Sequence, residues 1–236
     1  MRIFAIADLH LSFSCENKNM DIYGGQWIDH WQRVMKNWDG IVESNDVIII
    51  PGDISWALKF EDAVKDLEWI HERPGKKVLI KGNHDLWWQS VSKLNSLYDD
   101  MYFLQNDFFT AGEYAICGTR GWICPGDREF SEHDLKIYRR EILRLKASFE
   151  KAEKAGFKKF IGVLHYPPTN EKHEESGFTE IFKEYAAETV VYGHLHGEEV
   201  CKKGLKGIYK DTDYILTSLD YLRCIPILIR TGRCLK

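Results

Sequence analysis

Val78-Leu79-Ile80-Lys81-Gly82-Asn83-His84-Asp85 is the stretch on which the reading of this chain turns. It opens with three large apolar residues and reaches a glycine one residue after the run ends. A short apolar run bounded by a turn residue marks a buried strand. Directly behind it stand Asn, His and Asp, three side chains that can bind a proton or a cation. The arrangement recurs along the chain. Residues 3–7 run into Asp8-Leu9-His10, residues 47–50 into Pro51-Gly52-Asp53, residues 160–164 into His165, and residues 189–192 into Gly193-His194-Leu195-His196. Each of these apolar runs ends in Asp, Asn or His.

Helical patterns separate the strands. Trp27, Trp31, Val34, Met35 and Trp38 recur at helical spacing, as do Phe60, Ala63, Val64, Leu67 and Ile70 before Pro74-Gly75. Val91, Leu94 and Leu97 outline a third helix. Ser131-Glu132-His133-Asp134 resembles a capping box, with Asp in place of Glu or Gln, for a helix reaching about residue 155. Residues 101–118 read as strands joined by tight turns, and residues 198–230 as an antiparallel meander. Alternating strands and helices predict crossover units, parallel strands and an α/β fold. With 236 residues, no repeat and no low-complexity linker, the chain is expected to form a single domain over 1–236.

Composition narrows the function classes. A net charge of -4 argues against a broad basic face for nucleic acid or an anionic membrane. The six cysteines form no C-x-x-C pair and are expected as free thiols in a reducing compartment. No apolar run approaches the ~18 residues of a membrane span, and the first residues do not suit a signal peptide. The expected location is therefore cytoplasmic.

Open α/β sheets bind ligands at the carboxyl ends of their strands, so the strand-end groups can converge on one crevice. Carboxylates, imidazoles and one amide suit Mn, Fe, Zn or Co, and suit Ca or an all-oxygen Mg site poorly. If Asp8-Leu9-His10 and His194-Leu195-His196 are extended, each pair points to one side. Gly52, Gly82 and Gly193 stand before ligand candidates and permit tight turns and close backbone approach. Any one of these residues alone is ordinary turn, cap or core chemistry; the set carries the signal. His30 and His71, between apolar helical positions, are expected in solvent, as is His133. Trp56 and Trp122 read as packing residues, and Arg120 and Arg128 as phosphate clamps or surface ion pairs.

The ordered set D-x-H, G-D, G-N-H-D, a lone His and G-H-x-H resembles the calcineurin-like metallophosphoesterases, over residues 8–196. The resemblance implies a four-layer αββα sandwich, two mixed sheets flanked by helices. It implies two divalent ions (Mn, Fe, Zn, Co or Ni) and a small phosphate-ester substrate, with no stable nucleic-acid partner and no membrane. Asp8, His10 and His196 would hold one ion, and Asn83, His165 and His194 the other, with Asp53 bridging. His84 would contact the phosphate or protonate the leaving oxygen, and Asp85 would orient His84 by a hydrogen bond. In such a centre, ions ~3.5–4 Å apart share and deprotonate one water, which attacks phosphorus. Two ions less Asp8, Asp53 and a hydroxide leave +1 to attract the ester. Ile54-Ser55-Trp56 after Asp53, and Asp85 closing the third motif, depart from the protein Ser/Thr phosphatase pattern, leaving a stand-alone monoesterase or diesterase. Residues 121–156 are a candidate lid. The alternative is a catalytically idle metal-binding scaffold or partner-docking module on the same fold, against which His84 and Asp85 argue.

Overall fold

Val47–Ile50 is Val-Ile-Ile-Ile and all four side chains are buried, as a strand covered on both faces requires. The same logic builds the rest of the computed structural model, which describes residues 1–232. In chain order the elements are β1 (Arg2–Ala5), α1 (His30–Ile41), β2 (Val47–Ile50), α2 (Phe60–His71), β3 (Lys76–Leu79), α3 (Val91–Leu94), β4 (Met101–Phe103), β5 (Phe108–Ala111) and β6 (Tyr114–Thr119). Then come α4 (Glu132–Lys154), β7 (Lys159–Leu164), α5 (Gly177–Glu184), β8 (Thr189–Tyr192), α6 (Glu198–Lys203), β9 (Gly207–Tyr209), β10 (Thr212–Leu216) and β11 (Ile227–Thr231).

The strands form two sheets. One is five-stranded in the order β11-β1-β2-β3-β4, the other six-stranded in the order β5-β6-β7-β8-β10-β9. β1 through β4 are mutually parallel, and β11 adds to the edge antiparallel to β1. In the second sheet β6, β7, β8 and β10 are parallel, with β5 and β9 antiparallel at the edges. Both sheets are mixed, as expected. Alternation along each strand sorts side chains between layers. Ile3, Ala5, Val47, Ile49, Val78, Ile116, Ile161, Val163 and Val191 form the core between the sheets. Phe4, Ile6, Ile48 and Ile50 face outward into a cluster with Val34, Trp38, Leu67 and Ile70 of α1 and α2. Phe149, Phe160, Phe178 and Phe182 anchor the cluster beneath α4 and α5. The order helix, sheet, sheet, helix follows.

α4 starts at the expected place, with a capping box closed between Ser131 and Asp134. Its buried stripe of Tyr138, Glu141, Leu145, Ser148, Phe149 and Ala152 packs against the second sheet. The helix in the candidate lid 121–156 is thus a layer of the core, and deleting residues 127–154 would strip that sheet of its cover. α3 is a single turn, shorter than Val91, Leu94 and Leu97 suggested. The region 198–230 is not a meander. It contains α6, β10 crosses over to lie parallel to β8, and β11 returns to the other sheet. Cys15, Cys117, Cys124, Cys201 and Cys224 are free thiols, while Cys234 lies outside the described residues. Among the described residues, no helix is long and apolar enough to cross a membrane.

Candidate metal centre

The loops leaving β1 and β2 run side by side. Asp8 N–H donates to the Gly52 carbonyl (3.0 Å), His10 N–H to the Asp53 carbonyl (3.0 Å), and Leu11 N–H to the Ile54 carbonyl (3.0 Å). Asp8, His10, Asp53 and His194 all have left-handed backbone, with φ of 60°, 44°, 51° and 73°. Such conformations cost non-glycine residues free energy, and they cluster where side chains must be aimed. This corrects the extended-backbone reading of the two x-separated pairs. Asp8 and His10 still converge, but His194 and His196 turn into different clusters. Two glycines are there because ligand candidates crowd them. A Cβ on Gly82 would strike Asp53, and one on Gly193 would lie 2.6 Å from Asp8 Oδ2.

Two clusters result. Ligand atoms of Asp8, His10 and His196 lie within 4.8 Å of one another, as do those of Asp53, His165 and His194. Asp53 stands between them, with Oδ2 3.8 Å from His10 Nε2 and Oδ1 3.5 Å from His165 Nε2. Asn83 Oδ1 completes the second cluster at 2.6 Å from His165 Nε2 and 2.9 Å from His194 Nδ1. All seven residues named in the sequence for metal binding therefore meet in one crevice, drawn from the ends of β1, β2, β3, β7 and β8.

The donor set around His165 fits a cation rather than protons. His165 Nδ1 lies 2.9 Å from the Pro51 carbonyl, which can only accept, so its proton sits there. Burial pushes this imidazole down to about 3, so it is neutral, and its Nε2 lone pair faces the oxygens of Asn83 and Asp53. Lone pairs pointed at one another need a cation between them. On the other side His10 Nε2 and His196 Nε2 face each other at 3.4 Å, and His10 Nδ1 is buried with no partner among the described residues. Burial raises the Asp8 carboxyl to about 7, aided by the nearby Asp53, and burial raises Asp53 as well. Burial opposes charge on His196, but Asp8 and Asp220 outweigh it and lift that imidazole to about 9.

Other residues fall differently from the sequence reading. His84 reaches the mouth of the crevice, its side chain 42% exposed, with Nε2 4.0 Å from Asp53 Oδ2 and its ring 4.3 Å from Trp56. Asp85 does not orient it. The Asp85 carboxylate is fully buried and accepts from Gly82 N–H (2.7 Å), Ile54 N–H (2.9 Å), Ser55 N–H (3.1 Å) and Trp87 Nε1–H (3.1 Å). It ties the Gly52-Asp53 loop to the Gly82-Asn83 loop, and thereby fixes two ligand candidates at once. His30 is also corrected: it is buried, with Nε2 3.0 Å from the Leu9 carbonyl, beneath the Asp8–His10 loop. Trp56 stacks on His10 at 4.8 Å and so lines the site. Asp220 went unread in the sequence. Its Oδ1 lies 2.9 Å from His196 Nδ1 and its Oδ2 accepts from Gly197 N–H (2.8 Å). A strand followed by Thr-Ser-Leu-Asp was the signal, repeating the pattern of the other ligand loops.

A model of the calcineurin-like phosphoesterases matches residues 1–198. The chain belongs to that family. Among solved structures, the protein TT1561 of Thermus thermophilus superposes with a TM-score of 0.59 at 12% identity, covering 96% of this chain and 97% of that one. Phosphopantetheinyl hydrolase from Mycobacterium tuberculosis gives 0.57 at 13% identity, covering 97% and 95%. At these identities the likeness is one of fold. Gene 66 protein of Mycobacterium phage D29 is 32% identical over 99 residues, 41% of this chain and 48% of that protein. Its counterpart in phage L5 is 42% identical over 57 residues, 24% of this chain and 27% of that protein. The chain thus spans under half the length of either phage protein.

Proposed function

We propose that the chain is a dinuclear metal-dependent phosphoesterase acting on small phosphate monoesters or diesters. Asp8, His10 and His196 would hold one divalent ion and Asn83, His165 and His194 the other, with Asp53 between the two groups able to serve both. The observation that carries this reading is the position of Asp53, one oxygen toward His10 and the other toward His165. Imidazole, carboxylate and amide donors together suit Mn, Fe, Zn, Co or Ni. When bound, such an ion pair supplies Lewis acidity and an activated water for attack on phosphorus.

The chain's own residues do the rest. Pro51 and Asp220 fix the tautomers of His165 and His196, so each presents Nε2 to the centre. Trp56 stacks against His10 and lies tilted against His84, covering one flank of both rings. His84, exposed at the mouth, stands where a leaving oxygen departs and can hand it a proton, a contribution of about 10²–10⁴-fold. A catalytically idle scaffold would have no use for that imidazole.

The test is turnover of p-nitrophenyl phosphate and bis-p-nitrophenyl phosphate by metal-stripped protein after Mn²⁺, Ni²⁺, Co²⁺ or Zn²⁺ is restored. Metal-dependent turnover is expected, lost in Asp53→Ala and lowered about 10²–10⁴-fold in His84→Ala with metal still bound. No turnover with any metal, despite two bound ions, would overturn the reading in favour of the idle scaffold.

A further inference from the structure

Beside the candidate centre, on the same sheet edge, lies a second cavity of about 350 Å³. Lys81, Arg120, Arg140 and Arg144 line it, around the single carboxylate of Glu141. The backbone ties it to the candidate centre. Lys81 directly precedes Gly82-Asn83, and the Arg120 carbonyl accepts from the N–H groups of His165 and Tyr166 (both 3.0 Å). In each sheet it sits one strand beyond the ligands, at β4 beside β3 and at β6 beside β7. Strands are spaced ~4.8 Å apart, which places it on the order of 10 Å from Asp53.

Glu141 does not account for four cations. It is fully buried and already satisfied, with Oε2 accepting from Thr119 Oγ1 and Oε1 accepting from Arg144 Nη1 at 2.8 Å. Arg120 and Arg140 stand off at 3.9 and 3.6 Å, beyond hydrogen-bond distance. The side chains of Lys81, Arg120 and Arg140 donate no hydrogen bond to any described residue. Arg120 is held instead by its ring partner, lying 4.5 Å above Trp122. The cavity therefore carries about three uncompensated positive charges in a chain whose net charge is -4. Guanidinium forks with free donors match a phosphate by bidentate hydrogen bonds. The volume suits a small molecule.

We infer that this cavity is a second anion subsite, and that the preferred substrate carries two phosphate groups spaced about 10 Å apart, one cleaved and one anchored by Arg120, Arg140, Arg144 and Lys81. The inference rests on the phosphoesterase reading for the cleaved group and on the basic cavity alone for the anchored one. Binding energy at the anchored phosphate is then available to position the other.

The experiment uses alkanediol bisphosphates, from ethanediol to octanediol, against alkyl monophosphates of matching length. The readouts are kcat/KM with metal restored, and calorimetric binding to the metal-stripped protein. A bisphosphate of intermediate length should exceed its matching monophosphate by at least tenfold in kcat/KM, and should bind the metal-stripped protein. In the Arg140→Gln/Arg144→Gln double variant, that ratio should fall toward one and the metal-free binding should be lost. Bisphosphates and monophosphates used alike, or a preference unchanged in the double variant, would overturn the subsite. If bisphosphates bind through these arginines yet nothing is hydrolysed, the subsite stands and the hydrolase reading fails.

Discussion

Replacing Asp220 by Asn tests the centre through a residue that touches no ligand atom of it. The Asp220 carboxylate takes the Nδ1–H of His196 at 2.9 Å, which leaves Nε2 facing Asp8 and His10 in the candidate cluster. Asn is nearly isosteric and can still accept from His196 or from Gly197 N–H. It loses the charge, and charge-assisted hydrogen bonds are roughly twice as strong as neutral ones. Removing such a supporting group typically costs 10–100-fold in metal affinity, or about 1.4–2.7 kcal/mol. The Asp220 side chain is 9% exposed, so little solvent screening softens the loss. The assay is titration of metal-stripped protein with Zn²⁺ or Mn²⁺ against a chromogenic chelator. Wild type should take up two equivalents. Asp220→Asn should keep one unchanged, at Asn83, His165 and His194, and weaken the other by about 10–100-fold. Two unchanged equivalents, or equal weakening of both, would refute the assignment of His196 and Asp220 to one of two separate sites.

Asp85→Ala should reduce metal stoichiometry as well as turnover, because it releases Gly82, Ile54, Ser55 and Trp87 together. Normal metal uptake with only kcat lowered would restore the view that Asp85 serves His84. Gly82→Ala should abolish uptake of both ions, since the new methyl group meets the bridging Asp53; the check is elemental analysis of the purified variant. Asp66 supplies a pH test. Burial lifts its carboxyl to about 6 against its hydrogen bonds with Ser55 and Phe13 N–H. From about pH 4 to 6 the folded state holds a proton that the unfolded chain has released, so stability falls as pH rises through that window, by roughly 3 kcal/mol at most. Urea denaturation at pH 4.5 and 6.5 should show Asp66→Asn losing that part of the decline; an identical decline in wild type and variant would rule it out.

The ligand residues were legible because each follows a short apolar run, and strand ends of an α/β sheet share one edge. Their local backbone was not legible. Left-handed φ at Asp8, His10, Asp53 and His194 accompanies contacts with residues far along the chain, such as Gly193 packed close to Asp8. Asp85 was misread for a related reason. Its sequence neighbour His84 suggested a partner, but Asp85 instead accepts from Gly82 and Trp87 close by and from Ile54 and Ser55 in a loop some 30 residues earlier. His30 falls in an apolar helix pattern and was read as solvated, because nothing in the sequence reveals the Leu9 carbonyl above it. The region after Glu198 has the short runs of a meander, and only tertiary pairing decides that β10 lies beside β8 and β11 beside β1.

That last pairing bears on how the protein is made. β1 finds its outer neighbour β11 only when residues 227–231 have been synthesised. Asp220, which steadies His196, arrives only slightly earlier. At 5–20 residues per second, the loop carrying Asp8 and His10 waits on the order of ten seconds or more for these partners. During that interval the nascent chain has Asp8, His10 and Asp53 but neither His194 nor His196, so neither candidate cluster is complete. At the proposed centre, selection among ions would thereby wait until residues 194–220 have folded against the Asp8–His10 loop.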